Sequence, residues 1–138
     1  MSGQPHRIFQ VLERDNRYKL EAYQFVRDAL SYAHDELRMG EARETPGEEE
    51  SPRLETHLTG QQLCEAIRLF AIDQFGLMAR VVLKNWGVSH TGDFGDIVYN
   101  MIDIGLMKKS DSDRREDFDG VYDFIEAFDR HFQISGGS

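Results

Sequence analysis

Fold class is decided by the stretch LEAYQFVRDALSYAHDEL, residues 20–37. Apolar side chains recur in it at steps of three and four residues, as one face of an α-helix requires. The recurring residues are Leu20, Tyr23, Val26, Leu30, Ala33 and Leu37. Charged residues fill much of the remaining surface. The pattern predicts an amphipathic helix over residues 19–38 whose apolar stripe faces a core.

Helix boundary signals continue through the rest of the chain. The motif Thr59-Gly-Gln-Gln62 matches a capping box and predicts a helix start. Gly76, Gly87 and Gly105 follow apolar periodic stretches, and each is predicted to end a helix in a left-handed conformation. Asp93 is predicted to be the N-cap of another helix, because its carboxylate can accept from backbone N–H groups.

Four segments follow from these signals. Residues 1–38 are predicted to form an N-terminal helical hairpin, and residues 39–56 an acidic flexible linker without large apolar side chains after Met39 and before Leu54. Residues 57–134 are predicted to form a C-terminal helical core, and residues 135–138 a flexible tail. A chain of 138 residues is the size of one domain, so we expect one mainly α-helical bundle.

A winged-helix-like arrangement is the finer prediction for the C-terminal part. Residues 81–89 resemble the second helix of a helix-turn-helix, and residues 97–107 a third helix that runs into a short hairpin. Basic side chains in the hairpin region would supply the contacts of a nucleic-acid-binding protein. They are Lys108, Lys109, Arg114 and Arg115.

Charge argues against that alternative. The predicted recognition helix carries Asp93, Asp96 and Asp103 and no Lys or Arg, so it would repel phosphates. The formal net charge of the chain is −9. A nucleic-acid-binding or regulatory protein is therefore the alternative hypothesis, and nucleic acid is not the partner that we expect.

A small metal-dependent enzyme is the second alternative. Its candidate ligands are His57, His90, Asp93 and Asp96, which are weak candidates because no His-Glu-x-x-His or Cys-x-x-Cys motif accompanies them. Cys64 is predicted to be a small buried apolar residue rather than a nucleophile. No catalytic residue and no cofactor is expected.

The start of the chain, its single cysteine and its aromatic residues carry the remaining predictions, those of location and function. The start of the chain has no apolar signal-peptide region, and the single cysteine gives no sign of secretion, so we expect a cytoplasmic protein without a membrane segment. The leading hypothesis is a non-enzymatic protein-binding or adaptor module that binds a partner protein or itself. Aromatic residues near glycine-marked turns, namely Trp86, Tyr122 and Phe118, are its candidate partner-binding residues.

Three stretches resemble a known family when taken together: residues 21–30, 93–106 and 115–124, accompanied by residues 57–60 and the pair Trp86-Gly87. With these, the chain resembles a family of short hypothetical proteins from planctomycete and verrucomicrobial bacteria. The resemblance covers nearly the whole chain except the acidic linker and the tail. It implies a small, stand-alone bacterial protein of the cytoplasm, and it implies no activity because none is known for the family.

Overall fold

Five α-helices follow one another in a computed structural model that describes residues 4–37, 58–109, 111 and 113–130. They are α1 (Gln4–Arg14), α2 (Leu20–Asp35), α3 (Gly60–Phe75), α4 (Ala79–Asn85) and α5 (Thr91–Asp103). A 3-10 turn at Gly76–Met78 joins α3 to α4. A second 3-10 turn at Arg115–Phe118 and a π-helix at Ile125–Arg130 complete the described part. The predicted mainly α-helical fold is confirmed.

The amphipathic pattern of residues 20–37 forms α2 as predicted. Its buried face includes Tyr23, Val26 and Leu30, and it packs mainly against α3 and α5. Phe25 also lies on the buried face, although the predicted apolar stripe did not include it. Its ring stacks on that of Phe70, with centroids 5.0 Å apart. Burial of this helix face, rather than helix propensity alone, therefore stabilises α2.

The start of α3 is the capping box that the sequence predicts. Thr59 Oγ1 accepts from the Gln62 backbone N–H at 3.0 Å, and Gln62 Oε1 accepts from the Thr59 N–H at 3.0 Å. The helix ends at Phe75 with Gly76 as its C-cap, as predicted, although Gly76 combines a φ of 55° with a ψ of −128° and so is not in the left-handed α region that was predicted. Because the chain turns at this glycine, α4 begins in a new direction after one 3-10 turn.

The predicted N-cap of α5 is wrong by three residues. The helix begins at Thr91 with His90 as its N-cap, and Asp93 is the third helical residue. Asp93 Oδ2 accepts from the backbone N–H of Ser89 at 2.8 Å and from that of His90 at 3.3 Å. The carboxylate therefore does satisfy donors near the helix start, but it reaches back to them from inside the first turn.

One hydrophobic core joins the N-terminal and C-terminal helices. It extends from Val11 in α1 through Ile67 in α3 and Phe94 in α5 to Phe128 in the π-helix. The predicted linker at residues 39–56 and the predicted tail at residues 135–138 lie outside the described residues.

The winged-helix-like part is not confirmed. In residues 113–118, where the hairpin was predicted to continue, the chain forms the 3-10 turn Arg115–Phe118, and the described residues contain no strand. None of the described helices is long and apolar enough to cross a membrane.

A close backbone approach fixes the turn after α4 against the turn before α2. The Lys19 N–H donates to the Trp86 carbonyl at 3.1 Å. A Cβ atom added at Gly87, where φ is 97°, would lie 2.0 Å from the Arg17 carbonyl oxygen. Only glycine permits both the positive φ and this approach.

Gly87→Ala should therefore lower the free energy of unfolding by roughly 3 kcal/mol or more, because it adds a backbone clash to left-handed strain. Gly76→Ala is the matched control, since Gly76 also has a positive φ of 55° but nothing lies within 4 Å of its added Cβ. It should cost roughly 1–2 kcal/mol, from backbone strain without a clash. Urea denaturation followed by circular dichroism measures both, and equal losses would contradict the described packing of the two turns.

Candidate functional site

A polar network joins three segments that are far apart in the sequence. We call it the Tyr18 network. It consists of the turn residues Asp15, Arg17 and Tyr18, the α5 residues Asp93, Asp96 and Asn100, and the residues Arg115 and Asp119 at the second 3-10 turn.

Tyr18 lies at the centre of the network and is 2% exposed. Its Oη lies 2.6 Å from Asp93 Oδ1 and 3.0 Å from Asp96 Oδ2. Burial, together with the hydrogen bond to Asp93, raises the pKa of the Tyr18 hydroxyl well above its ordinary value of 10.0. The hydroxyl therefore stays protonated and donates to the carboxylates that begin α5.

Arg17 connects that centre to the turn. Its Nε and Nη2 donate to the two oxygens of Asp15 at 2.8 and 2.7 Å, and its Nη1 donates to Asp96 at 3.1 Å. Asn100 Nδ2 donates to Asp15 Oδ2 at 3.0 Å. The hydrogen bond from Arg17 lowers the pKa of Asp15 well below its ordinary value of 3.8, and the Asn100 bond adds to the effect against the opposing influence of burial.

Arg115 closes the network from the C-terminal side. Its Nε donates to Asp96 Oδ1 at 2.7 Å, and its Nη1 donates to Asp119 Oδ1 at 2.7 Å. Asp96 is therefore paired with two guanidinium groups, those of Arg17 and Arg115. These pairings satisfy the carboxylate and hold the second 3-10 turn against α5.

Two of the four predicted metal ligands, Asp93 and Asp96, belong to the Tyr18 network. Asp93 and Asp96 accept from Tyr18, and Asp96 also from the two arginines. His90 Nε2 lies 3.6 Å from Asp93 Oδ2. His57 lies outside the described residues. Among the residues that the structure describes, no group of three or more His, Cys, Asp or Glu side chains could hold a metal ion.

The predicted nucleic-acid-binding residues differ in exposure and in hydrogen-bond partners. Lys108, Lys109 and Arg114 are exposed. Arg115 is instead bound to Asp96 and Asp119. A guanidinium that already donates to two carboxylates has less capacity to bind phosphate, so Arg115 has a structural role in this arrangement.

The predicted partner-binding aromatic residues lie in separate environments. Phe118 is 5% exposed and packs at Gly60 and Gly95, where an added Cβ would approach it to 3.1 and 2.9 Å. Tyr122 is half-buried, and its hydroxyl donates to the Cys64 carbonyl at 2.7 Å. Trp86 is half-buried among other rings. Only Trp86 and Tyr122 therefore keep part of their rings at the surface.

Trp86 packs in a cluster of three aromatic rings, which we call the aromatic base. Trp86 contacts Phe75 with centroids 5.7 Å apart and Phe25 with centroids 5.5 Å apart. Phe75 and Phe25 also stack on each other at 5.5 Å. The three rings tie the end of α3, the end of α4 and α2 together.

Beside this base, apolar side chains are exposed at the junction of α3 and α4. Leu77 is 69% exposed, Met78 54% and Val81 45%. We call these three residues the corner patch. Leu77 and Met78 lie in the 3-10 turn and Val81 in the first turn of α4, so the three exposed side chains lie within five consecutive residues of the chain. The corner patch is the candidate functional site.

The corner patch is not among the predicted site residues. Within α4, Ala79 and Leu83 are buried while Val81 is exposed. The available signal was that apolar residues occupy both faces of a short helix, which leaves one apolar face without an obvious place in the core.

Cys64 offers no nucleophile. Burial, with a smaller contribution from the Glu65 carboxylate, raises the pKa of its thiol to about 12. Nearly all of the group is therefore protonated at neutral pH, and the thiolate is the reactive form.

Comparisons with known proteins give no relative. No protein-family model matches the chain, and no curated protein and no solved structure was found to be similar to it. The resemblance to the planctomycete and verrucomicrobial family stays a prediction.

Tyr18→Phe should destabilise the protein by about 2 kcal/mol, because it leaves Asp93 Oδ1 in a buried site without its donor. Tyr122→Phe is the matched comparison: it removes a hydrogen bond to a neutral carbonyl and should cost about 1 kcal/mol. Chemical denaturation at pH 7 gives both values. A loss for Tyr18→Phe no larger than that for Tyr122→Phe would contradict the central place of Tyr18 in the network.

Asp15 should make stability sensitive to acid. Because its pKa is lowered on folding, its ion pair stabilises the native state above the ordinary pKa of 3.8, and this contribution is lost as the pH falls below that value. Asp15→Asn should cost about 2 kcal/mol at pH 7 and progressively less as the pH falls from 4 to 2. Denaturation midpoints across that range measure the difference, and a pH-independent loss would contradict the assignment.

Proposed function

We propose that this protein is a non-enzymatic protein-binding module that binds its partner through the corner patch. The observation that carries the proposal is the exposure of three large apolar side chains, Leu77, Met78 and Val81, within five consecutive residues at the α3–α4 junction. Contiguous exposed apolar side chains are typical of protein interaction surfaces.

The surroundings of the corner patch support this use. The rings of Trp86, Phe75 and Phe25 pack on one another and connect the ends of α3 and α4, the two helices between which the patch lies. Met78 adds an unbranched, polarisable side chain that adapts to different apolar surfaces.

Charge favours a different protein over a second copy as the partner. With a formal net charge of −9, two copies repel each other at ordinary ionic strength.

The polar side chains of the Tyr18 network bind one another, which also favours binding over catalysis as the function of this protein.

Leu77→Glu should abolish partner binding without unfolding the protein, because the side chain is 69% exposed in the free chain. The matched control is Phe9→Glu, which places the same charge at another exposed apolar residue, 52% exposed, in α1. Each variant, tagged, is used to capture proteins from the native source extract. A protein retained by the wild type and Phe9→Glu but lost with Leu77→Glu is the expected result.

Met78→Glu provides a second patch variant, and circular dichroism confirms that each variant is folded. A partner that binds the patch variants as well as the wild type would overturn the proposal. So would sedimentation that shows a dimer of the wild type dissociated by Leu77→Glu, because the patch would then serve a second copy.

A further inference from the structure

Four sulfur atoms lie in the part of the chain that the structure describes, and their residues differ in access to solvent. Cys64, Met101 and Met107 are buried, with exposed fractions of 0%, 0% and 6%. Met78, which belongs to the corner patch, is 54% exposed. A dissolved oxidant therefore has access to the Met78 side chain that it lacks at the other three residues.

The chemical reactivity of these sulfur atoms gives the same ranking. A thiol reacts as its thiolate, and Cys64 stays protonated because burial raises the pKa of its thiol to about 12. A thioether needs no deprotonation, since its polarisable sulfur is nucleophilic as a neutral group. Among the sulfur atoms that the structure describes, that of Met78 therefore combines a reactive form with an exposed side chain.

The reaction available to Met78 is a two-electron oxidation by a hydroperoxide. The sulfur lone pair attacks one peroxide oxygen and the O–O bond breaks. The proton of the transferred oxygen passes to the departing oxygen, so hydrogen peroxide yields methionine sulfoxide and water. Reductases that take their electrons from thiols return the sulfoxide to methionine, so the modification is reversible.

This modification changes the surface of the protein rather than its core. The sulfoxide oxygen at Met78 is hydrated while the corner patch is free. A partner that covers Met78 with apolar side chains removes that water and leaves the oxygen without a donor, which costs free energy. At Met101 the same oxygen would enter the hydrophobic core and destabilise the fold. Oxidation confined to Met78 therefore weakens binding at the patch and leaves the protein folded.

We propose that Met78 is a site of reversible oxidation by peroxides, and that its sulfoxide releases the partner from the corner patch. The oxidation site stands on the exposure of Met78, whereas the release of the partner rests on the proposed function. The protein binds its partner while Met78 is reduced and loses it when peroxide accumulates.

Peptide mass spectrometry tests the oxidation site. The folded protein is treated with hydrogen peroxide, the peroxide is removed, and the protein is unfolded and digested with trypsin. Met78 is the methionine of the peptide 69–80, whereas Met101 and Met107 share the peptide 85–108. The peptide 69–80 should gain one oxygen atom while the peptide 85–108 stays largely unmodified. Protein unfolded in urea before the treatment is the control, and it should be oxidised in both peptides. Equal oxidation of both peptides in the folded protein would refute the assignment of the site.

Partner capture tests the release. The probe is the protein that the wild type captures and Leu77→Glu does not. Oxidised wild type, freed of peroxide before it meets the extract, should bind this probe about tenfold less tightly, and methionine sulfoxide reductases should restore the binding. Met78→Leu is the matched control, because it keeps the patch apolar without a sulfur atom, and peroxide should leave its binding unchanged. Met78→Gln should bind weakly without peroxide, and circular dichroism confirms that each sample is folded.

Each failure has a separate meaning. Loss of the probe from peroxide-treated Met78→Leu would refute the release, because another oxidised group would then be responsible. Undiminished binding by wild type oxidised at Met78 would also refute the release, while leaving the proposed function in place. If the wild type captures no such probe, the proposed function fails and the release fails with it, whereas mass spectrometry alone decides the oxidation site.

Discussion

The hydroxyl group of Tyr18 is the contact on which the arrangement of the helices depends. It brings together the turn before α2 and the first turn of α5 by donating to Asp93 and lying within hydrogen-bond distance of Asp96. Carboxylates this close to a core are costly unless they are paired and hydrogen-bonded. Arg17 and Arg115 pair with Asp96 from opposite ends of the chain, so the network is complete only when those ends are in place.

The same turn controls the position of the corner patch. Lys19, next to Tyr18, donates to the Trp86 carbonyl, and Gly87 permits the close approach of that turn to Arg17. Trp86 in turn packs on Phe75, which ends α3 two residues before Leu77. Contacts therefore connect the polar network to Phe75 at the end of α3, next to the residues of the corner patch.

Sequence patterns predicted the helices and their ends correctly where these depend on residues close together in the chain. The apolar periodicity of α2, the capping box at Thr59 and the helix end at Gly76 each depend on residues within about one turn, and the structure confirms all of them. The position of Asp93 was missed because Asp is typical of both the N-cap, where it accepts from N–H groups inside the first turn, and the third helical residue, where it accepts from the N–H of the N-cap.

The role of Arg115 and the corner patch depend on contacts that are distant in sequence. Arg115 was interpreted as a nucleic-acid contact, whereas it binds Asp96, 19 residues earlier. Nothing near it in the sequence specifies that pairing. The exposure of Leu77 likewise follows from how α3, α4 and the aromatic base pack, so a local hydrophobicity pattern could not distinguish it from a core residue.

The area available at the corner patch limits how tightly it alone could bind. Burying a whole Leu, Met or Val side chain gains about 1.5–3 kcal/mol, and roughly half of each such side chain is still exposed here. Three residues then supply on the order of 4 kcal/mol, which corresponds to a dissociation constant of about 1 mM before the entropic costs of association. A partner with useful affinity must therefore also contact the surface beyond the patch.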